Sequence, residues 1–255
     1  MKQQSNGIKA FAAQRPFFFA LVFFVVSFCL SLVDAFVLPP FWGDQVVQSG
    51  LSIGVLAWLG WLRLAGFNSP SQWRSLNLLW LPGLWALFQL CSFVLTAQVS
   101  SAMRVVLLVL FVLLNGFREE ALFRGVILQA LLPYGWLRAA ALSALFFGLF
   151  HLLNLLIYPS WLVLAQAFEV SLFGFCFAAC RLRTNTIWPL IILHACSDLF
   201  PVATALNGGI VPAIYGSSWY AIVGTDFNVV LAGYGLFLLR PRRQPAPQLE
   251  TLSEQ

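Results

Sequence analysis

Long apolar runs broken by short polar intervals set the pattern of this chain. They cover Pro16–Leu38, Val46–Ala65, Leu78–Val99, Met103–Leu132, Ala139–Tyr158, Trp161–Cys180, Thr186–Leu199 and Trp219–Leu239. A helix needs about 20 apolar residues to cross a bilayer. The pattern therefore predicts an all-α, polytopic transmembrane helical bundle of about eight spans. The first run is closed by Pro39-Pro40. It is too long and too Phe-rich for a signal-peptide core, and no small-residue cleavage site follows it, so a retained span is expected.

Composition fixes the class. The chain has 255 residues, 60% hydrophobic and only 9% charged, with mean hydropathy +0.86. A soluble domain of this size cannot hide so much apolar surface, and disorder needs the opposite balance. The excess of 14 Lys+Arg over 9 Asp+Glu does not point to nucleic acid. The cations sit at the ends of apolar runs, where anionic lipid headgroups are their natural partners. The five cysteines lie within apolar runs and show no framework spacing, so structural disulfides are not expected. Cys176 and Cys180, one helical turn apart, read as small buried helix residues.

The basic residues also orient the bundle. With the N-terminus in the cytoplasm, Lys2, Lys9, Arg15, Arg63, Arg74, Arg138, Arg181, Arg183, Arg240, Arg242 and Arg243 all fall inside. The opposite loops hold only Arg104, at a helix edge. This is the positive-inside pattern, and it places both termini in the cytoplasm. Three regions are expected: 1–100, three helices without motifs; 101–239, a membrane core that carries the motifs described below; and 240–255, a disordered cytoplasmic tail with Pro241, Pro245 and Pro247.

Ionisable residues inside a span are costly and are the first candidates for function. Here they are Arg118, Glu119, Glu120, Arg124, His151, Glu169, Arg181, His194, Asp198 and Asp226. Glu120 and Arg124 share a helix face and can pair, whereas Glu119 lies about 100° round the helix. Adjacent buried carboxylates repel unless a cation or metal is near, and one in a half-wet cavity suits a general base. The bland alternative is an Arg–Glu pair at a helix end. His151 and Asn154 share a face at i, i+3 and offer a base or ligand beside an amide donor; a hydrogen-bonded packing His is the alternative. His194 and Asp198, at i, i+4, have spacing suited to zinc or to a hydrogen-bonded pair. Each pair is weak alone. Together, three helices carry a polar one-turn pair, and these absorb both histidines and most of the buried acids. Glu169 reads as a supporting residue, Asp226 as a solvated cap, and Arg118 as a partner for headgroups or for the glutamates.

In order along the chain, Glu119-Glu120-x-x-x-Arg124, Phe147-x-x-x-His151 and His194-x-x-x-Asp198 resemble the CPBP family. That group holds the type II CAAX prenyl proteases and the bacterial Abi or bacteriocin-processing membrane proteins. Asn154 and the Thr184–Pro189 stretch are also similar, and the resemblance spans roughly Leu107 to Phe200. It implies an eight-helix intramembrane endopeptidase whose polar residues converge in a cavity open to the cytoplasm. Glu119 would activate water, His151 would help hold it, His194 would stabilise the oxyanion with residue 198, and Arg124 would orient the glutamates. The prenyl proteases carry Asn where this chain has Asp198. An ionised Asp cannot donate to an oxyanion. Four readings follow: Asp198 is protonated, it orients His194, Asn154 is the donor, or a metal is bound. A Zn2+ site, if present, would use His151, His194 and Glu119 or Asp198 with an open position for water. The metal-free reading is preferred. The expected substrate is a membrane-anchored or lipidated peptide, and the expected location is a bacterial cytoplasmic membrane. A transporter relay and a non-catalytic immunity or scaffold protein are the rival functions.

Overall fold

The structure, a computed structural model, describes residues 6–37, 42–70, 72–96, 101–156, 159–206 and 218–240. Pro39-Pro40, Ser100, Tyr158, residues 207–217 of the loop expected around Pro201–Ser218 and residues 241–255 of the expected tail lie outside this set. Regular structure among the described residues is all helical.

A short helix, α1 (Asn6–Gln14), precedes α2 (Pro16–Val37) and α3 (Gly43–Leu59). A 3-10 turn (Trp73–Leu79) leads into α4 (Trp80–Thr96). Then come α5 (Ala102–Glu119), a π-helical segment (Glu120–Ile127) and α6 (Leu128–Leu131) in one unbroken run. α7 (Trp136–Phe150) ends in a 3-10 turn (His151–Leu156). α8 (Trp161–Thr184), α9 (Trp188–Leu206) and α10 (Ser218–Leu239) complete the bundle. Among the described residues, each apolar run thus contains a helix or helical run.

Among the described residues, four helical segments are long and apolar enough to cross a membrane: Pro16–Asp34, Trp73–Leu95, Trp136–Leu156 and Trp161–Thr184. α3 is only 17 residues long and opens on Asp44. The α5–α6 run is long but carries the Arg118, Glu119, Glu120 and Arg124 charges. Apolar side chains nevertheless point outward throughout, among them Val22, Leu87, Val94, Leu145, Phe168 and Val229. Such surfaces belong in lipid, where only internally hydrogen-bonded helices or closed barrels are stable. The chain is an integral membrane protein.

Local chemistry sets the helix ends. Ser101 caps α5 by accepting from the Arg104 amide at 3.3 Å, and Ser160 caps α8 from the Leu162 amide at 3.3 Å. Asn185 closes α8 in the left-handed region with φ 54°, which Asn tolerates better than most residues. The turn into α9 is stapled to the segment after α3. Ile187 N donates to Gly66 O at 2.9 Å, Thr186 Oγ1 to Asn68 O at 2.9 Å, and Arg181 Nε to Ala65 O at 2.8 Å. Arg181 also donates to Leu64 O. α8 therefore runs one turn past Cys180, and Arg181 is buried against backbone carbonyls instead of facing a headgroup.

α8 packs on both α7 and α10, α9 lies between α4 and α5, and α3 runs along α5 and the π segment. The main apolar core joins Leu56, Leu122, Phe123, Phe147, Phe150 and Phe177, and a smaller one (Leu108, Val112, Ala195, Leu199, Ala203) seals α5 against α9. Gly116 allows this second contact. A Cβ there would lie 2.9 Å from Ile191 O and 3.2 Å from Ala195 N. The glycine thus brings the helix of the glutamates against the helix of His194.

Candidate active site

The site begins at the junction of α5 with the π segment. A π turn adds a residue to each hydrogen-bonded ring, which changes the direction in which successive side chains project. Glu119 ends the α-helical part and Glu120 opens the π part. Their carboxylates therefore do not take separate directions, as an α-helix would suggest. Both reach the same imidazole.

His194, on α9, is the hub. Its Nδ1 lies 2.7 Å from Glu120 Oε1 and its Nε2 lies 3.2 Å from Glu119 Oε2. Each of those oxygens needs a donor. An imidazole donates from both nitrogens only in its doubly protonated form, so in any other state a proton must be held by one of the carboxylates. On the Nε2 side Asp198 Oδ2 is 3.8 Å away, and it accepts from Asn115 Nδ2 at 2.8 Å. Asp198 thus contacts α5 through an amide and faces His194, which is the orienting geometry. Pro201 follows within the helix. It removes one backbone donor a turn beyond this pair.

Each glutamate has its own arginine. Arg124 Nη1 lies 3.2 Å from Glu120 Oε1, with both side chains almost wholly buried. Its guanidinium lies over the Phe147 ring at 4.5 Å and near Phe177 at 5.7 Å, and Nη2 donates to Gly174 O at 3.4 Å. A desolvated cation over aromatic faces gains about 2 kcal/mol, which offsets part of its burial. Gly174 leaves the room: a Cβ there would lie 2.7 Å from Phe147 Cδ1 and 3.2 Å from Arg124 Nη2. Arg118 lies beside Glu119, donates to it through Nη2, and donates to Asp44 of α3 through Nη1. Phe147, Phe173 and Phe177 present ring edges or faces to His194 at 5.6–5.9 Å. The imidazole is thus walled on its apolar sides.

Not every sequence-predicted residue joins this hub. His151 stands at the end of α7, half-buried, with Nδ1 3.0 Å from Phe147 O. Asn154 turns the other way and donates to Gln166 Oε1 on α8 at 3.0 Å. The 3-10 turn from His151 onward breaks the α-helical face that would have aligned the two. Glu169 receives a hydrogen bond from Thr225 on α10, and Asp226 is exposed on the same helix. Among the described residues no three His, Cys, Asp or Glu side chains converge as metal ligands. The expected set of His151, His194 and a carboxylate does not converge among the described residues, and both ring nitrogens of His194 already face glutamates. Asp44, Asn115, Phe173 and Phe177 complete the surroundings without having been singled out in the sequence. Asp44 alone carried a signal, a carboxylate opening an apolar run.

The hub is more exposed on one side than on the other. Glu119, Glu120, Arg124 and His194 are all buried, whereas the Asp198 side chain is 25% exposed and His151 is half-buried. Glu119 lies on the Nε2 side of the imidazole with the partly exposed Asp198, and Glu120 on the Nδ1 side.

No curated protein and no solved structure matches the chain. The model of the family described as Type II CAAX prenyl endopeptidase Rce1-like matches residues 100–200. That segment holds both glutamates, both arginines beside them, both histidines and Asp198. Through that segment, which is less than half of its length, the chain is similar to the CPBP/CAAX protease family.

Proposed function

We propose that the protein is an intramembrane endopeptidase. It hydrolyses a peptide bond in a membrane-anchored or lipidated substrate, with Glu119 as the base that activates water. The observation that carries this reading is the clasp of one imidazole by two adjacent glutamates, with the partly exposed Asp198 on the Glu119 side. The family match supports the reaction class, since the matching model is described as an endopeptidase.

The chemistry follows from the two sides of His194. Glu120 is fixed deep in the bundle by Arg124 and Nδ1, so it sets the ring's orientation. Glu119 shares its edge of the ring with Asp198 and the half-buried His151, where water and a peptide carbonyl enter. Water held between Glu119 and His151 attacks the carbonyl carbon as its proton passes to Glu119. The oxyanion that forms is stabilised by the Nε2 proton of His194, in a site dry enough to strengthen that hydrogen bond. Collapse breaks the C–N bond, and Glu119 returns the proton to the leaving amine. The products are a carboxylate and an amine. Asp198 holds the imidazole through its edge and through Asn115, and takes no direct part at the oxyanion. The donor arrangement supports this metal-free scheme over a three-ligand zinc site.

A buried site of this kind suits a substrate that is itself held in the bilayer. The distribution of basic residues supports an eight-span topology with both termini inside, consistent with a bacterial cytoplasmic membrane. The test uses purified protein in liposomes with quenched-fluorescent peptides, one carrying a farnesylated cysteine and others forming membrane helices. Cleavage by wild type and not by Glu119→Gln supports the proposal. Cleavage abolished by a zinc chelator replaces the metal-free scheme. Equal behaviour of wild type and variant on every peptide leaves the scaffold reading in its place.

A further inference from the structure

We propose that Asp44 is a positioning residue for Glu119, acting through Arg118. The inference rests on the peptidase reading above and adds to it a part of the chain outside the family-matching segment. An Asp in the first turn of a helix is ordinary, because it complements the helix dipole. That role needs no particular partner. Asp44 has one: Oδ2 accepts from Arg118 Nη1, while Nη2 of the same guanidinium donates to Glu119 Oε1. Arg118 is buried and lies near the Phe150 ring, 5.6 Å from its centroid. A planar guanidinium presents separate donors to separate acceptors in a rigid fork, so fixing one arm fixes the other.

The fixed arm is itself anchored. The second oxygen of Asp44, Oδ1, accepts from Ser31 Oγ of α2 at 2.6 Å and from Gln48 Nε2 of α3 at 3.2 Å. Gln48 Nε2 also reaches Ser27 O at 2.6 Å and Ser31 Oγ at 2.8 Å. The two helices that carry no motif thus hold one end of a bridge whose other end orients the proposed base. Sharing also matters chemically. With Asp44 present, Arg118 gives Glu119 a single donor at Oε1 and leaves Oε2 facing His194. With Asp44 neutralised, both arms of the fork are free to close on Glu119 and draw it from the imidazole and from water.

The test uses the full chain in liposomes and the fluorescent peptide that wild type cuts fastest. Asp44→Asn is expected to lower kcat by about 10- to 100-fold with KM little changed, as a misplaced catalytic group does. Asp44→Glu should recover part of the loss. In an Arg118→Gln background, Asp44→Asn should cost nothing more, because the effect passes through the guanidinium. An unchanged kcat in Asp44→Asn overturns the assignment, as does an equal loss in both backgrounds or a rise in KM that accounts for the loss. If Asp44→Asn does not fold, Ser31→Ala loosens the same carboxylate with its charge intact. It must then lower kcat in the same sense, and an unchanged kcat there overturns the assignment. Wild type that cuts no peptide overturns the peptidase reading, and this assignment with it.

Discussion

Glu120 Oε1 lies 2.7 Å from His194 Nδ1, and the same oxygen faces Arg124 Nη1 at 3.2 Å. The contact ties the π segment to α9 on the Nδ1 side of the ring. Glu119, one residue earlier, meets the other nitrogen of the ring. Two neighbouring carboxylates therefore carry different burdens, and substitution separates them.

Glu119→Gln is expected to lower kcat by about 10²–10⁴-fold, the range for loss of a general base. Its effect on stability should be small, since Arg118 keeps Asp44 as a partner. Glu120→Gln should do the reverse in emphasis. It leaves the buried Arg124 without its carboxylate, a loss of about 3–5 kcal/mol. Peptide cleavage and thermal unfolding in detergent, measured on both variants, separate the two effects. Equal stability losses would show that the glutamates are interchangeable supports.

Arg124→Met should be destabilising alone, because the buried Glu120 then loses its guanidinium and keeps only His194 Nδ1 as a partner. Arg124→Met combined with Glu120→Met should be markedly milder, since two apolar side chains suit a pocket walled by Phe147 and Phe177. The comparison is a pair of melting curves. A double variant no more stable than Arg124→Met alone would mean that the guanidinium is held by Gly174 O and the aromatic rings, with little from the ion pair.

Much of this arrangement was legible in the sequence, and the rest was not for identifiable reasons. The apolar runs located the helices, because about 20 apolar residues leave little choice of structure in lipid. The one-turn pairs brought out Glu120 with Arg124 and His194 with Asp198, since i, i+4 spacing puts both members on one face. His151 with Asn154 failed the same logic. The helix turns 3-10 at His151, and Asn154 swings to Gln166. The shared grip of Glu119 and Glu120 on His194 depends on a π segment, for which no residue pattern is a signature. Asp44 is separated from Arg118 by 74 positions, and only tertiary packing joins them.

Asp198→Asn is expected to remain active within about tenfold, because the amide keeps an acceptor for Asn115 and adds a donor toward the oxyanion. Asp198→Ala should cost more. It strips Asn115 Nδ2 of the partner at 2.8 Å and releases the Nε2 edge of His194. A fully buried unsatisfied amide costs about 1–3 kcal/mol, and the half-buried Asn115 should cost less. Cleavage rates of the two variants, with Asn115→Ala as a third, distinguish orientation from direct chemistry. An inactive Asp198→Asn beside an active Asp198→Ala would contradict the orienting role.

Gly116→Ala tests whether the close approach of α5 to α9 is needed for function. The added Cβ would lie 2.9 Å from Ile191 O, 3.2 Å from Ala195 N and 3.4 Å from His194 Cβ. Two of these are backbone atoms, which cannot swing aside as a side chain can. The helices must part by a few tenths of an ångström, and overpacking of this kind costs about 1–3 kcal/mol. The larger effect should fall on catalysis, since the distances of His194 to Glu119 and Glu120 span this same interface. A lower melting temperature with a disproportionate fall in kcat is the expected result. A variant with wild-type kcat would mean that the π segment follows α9 outward and keeps the clasp closed, so the imidazole and the two carboxylates would move as one unit.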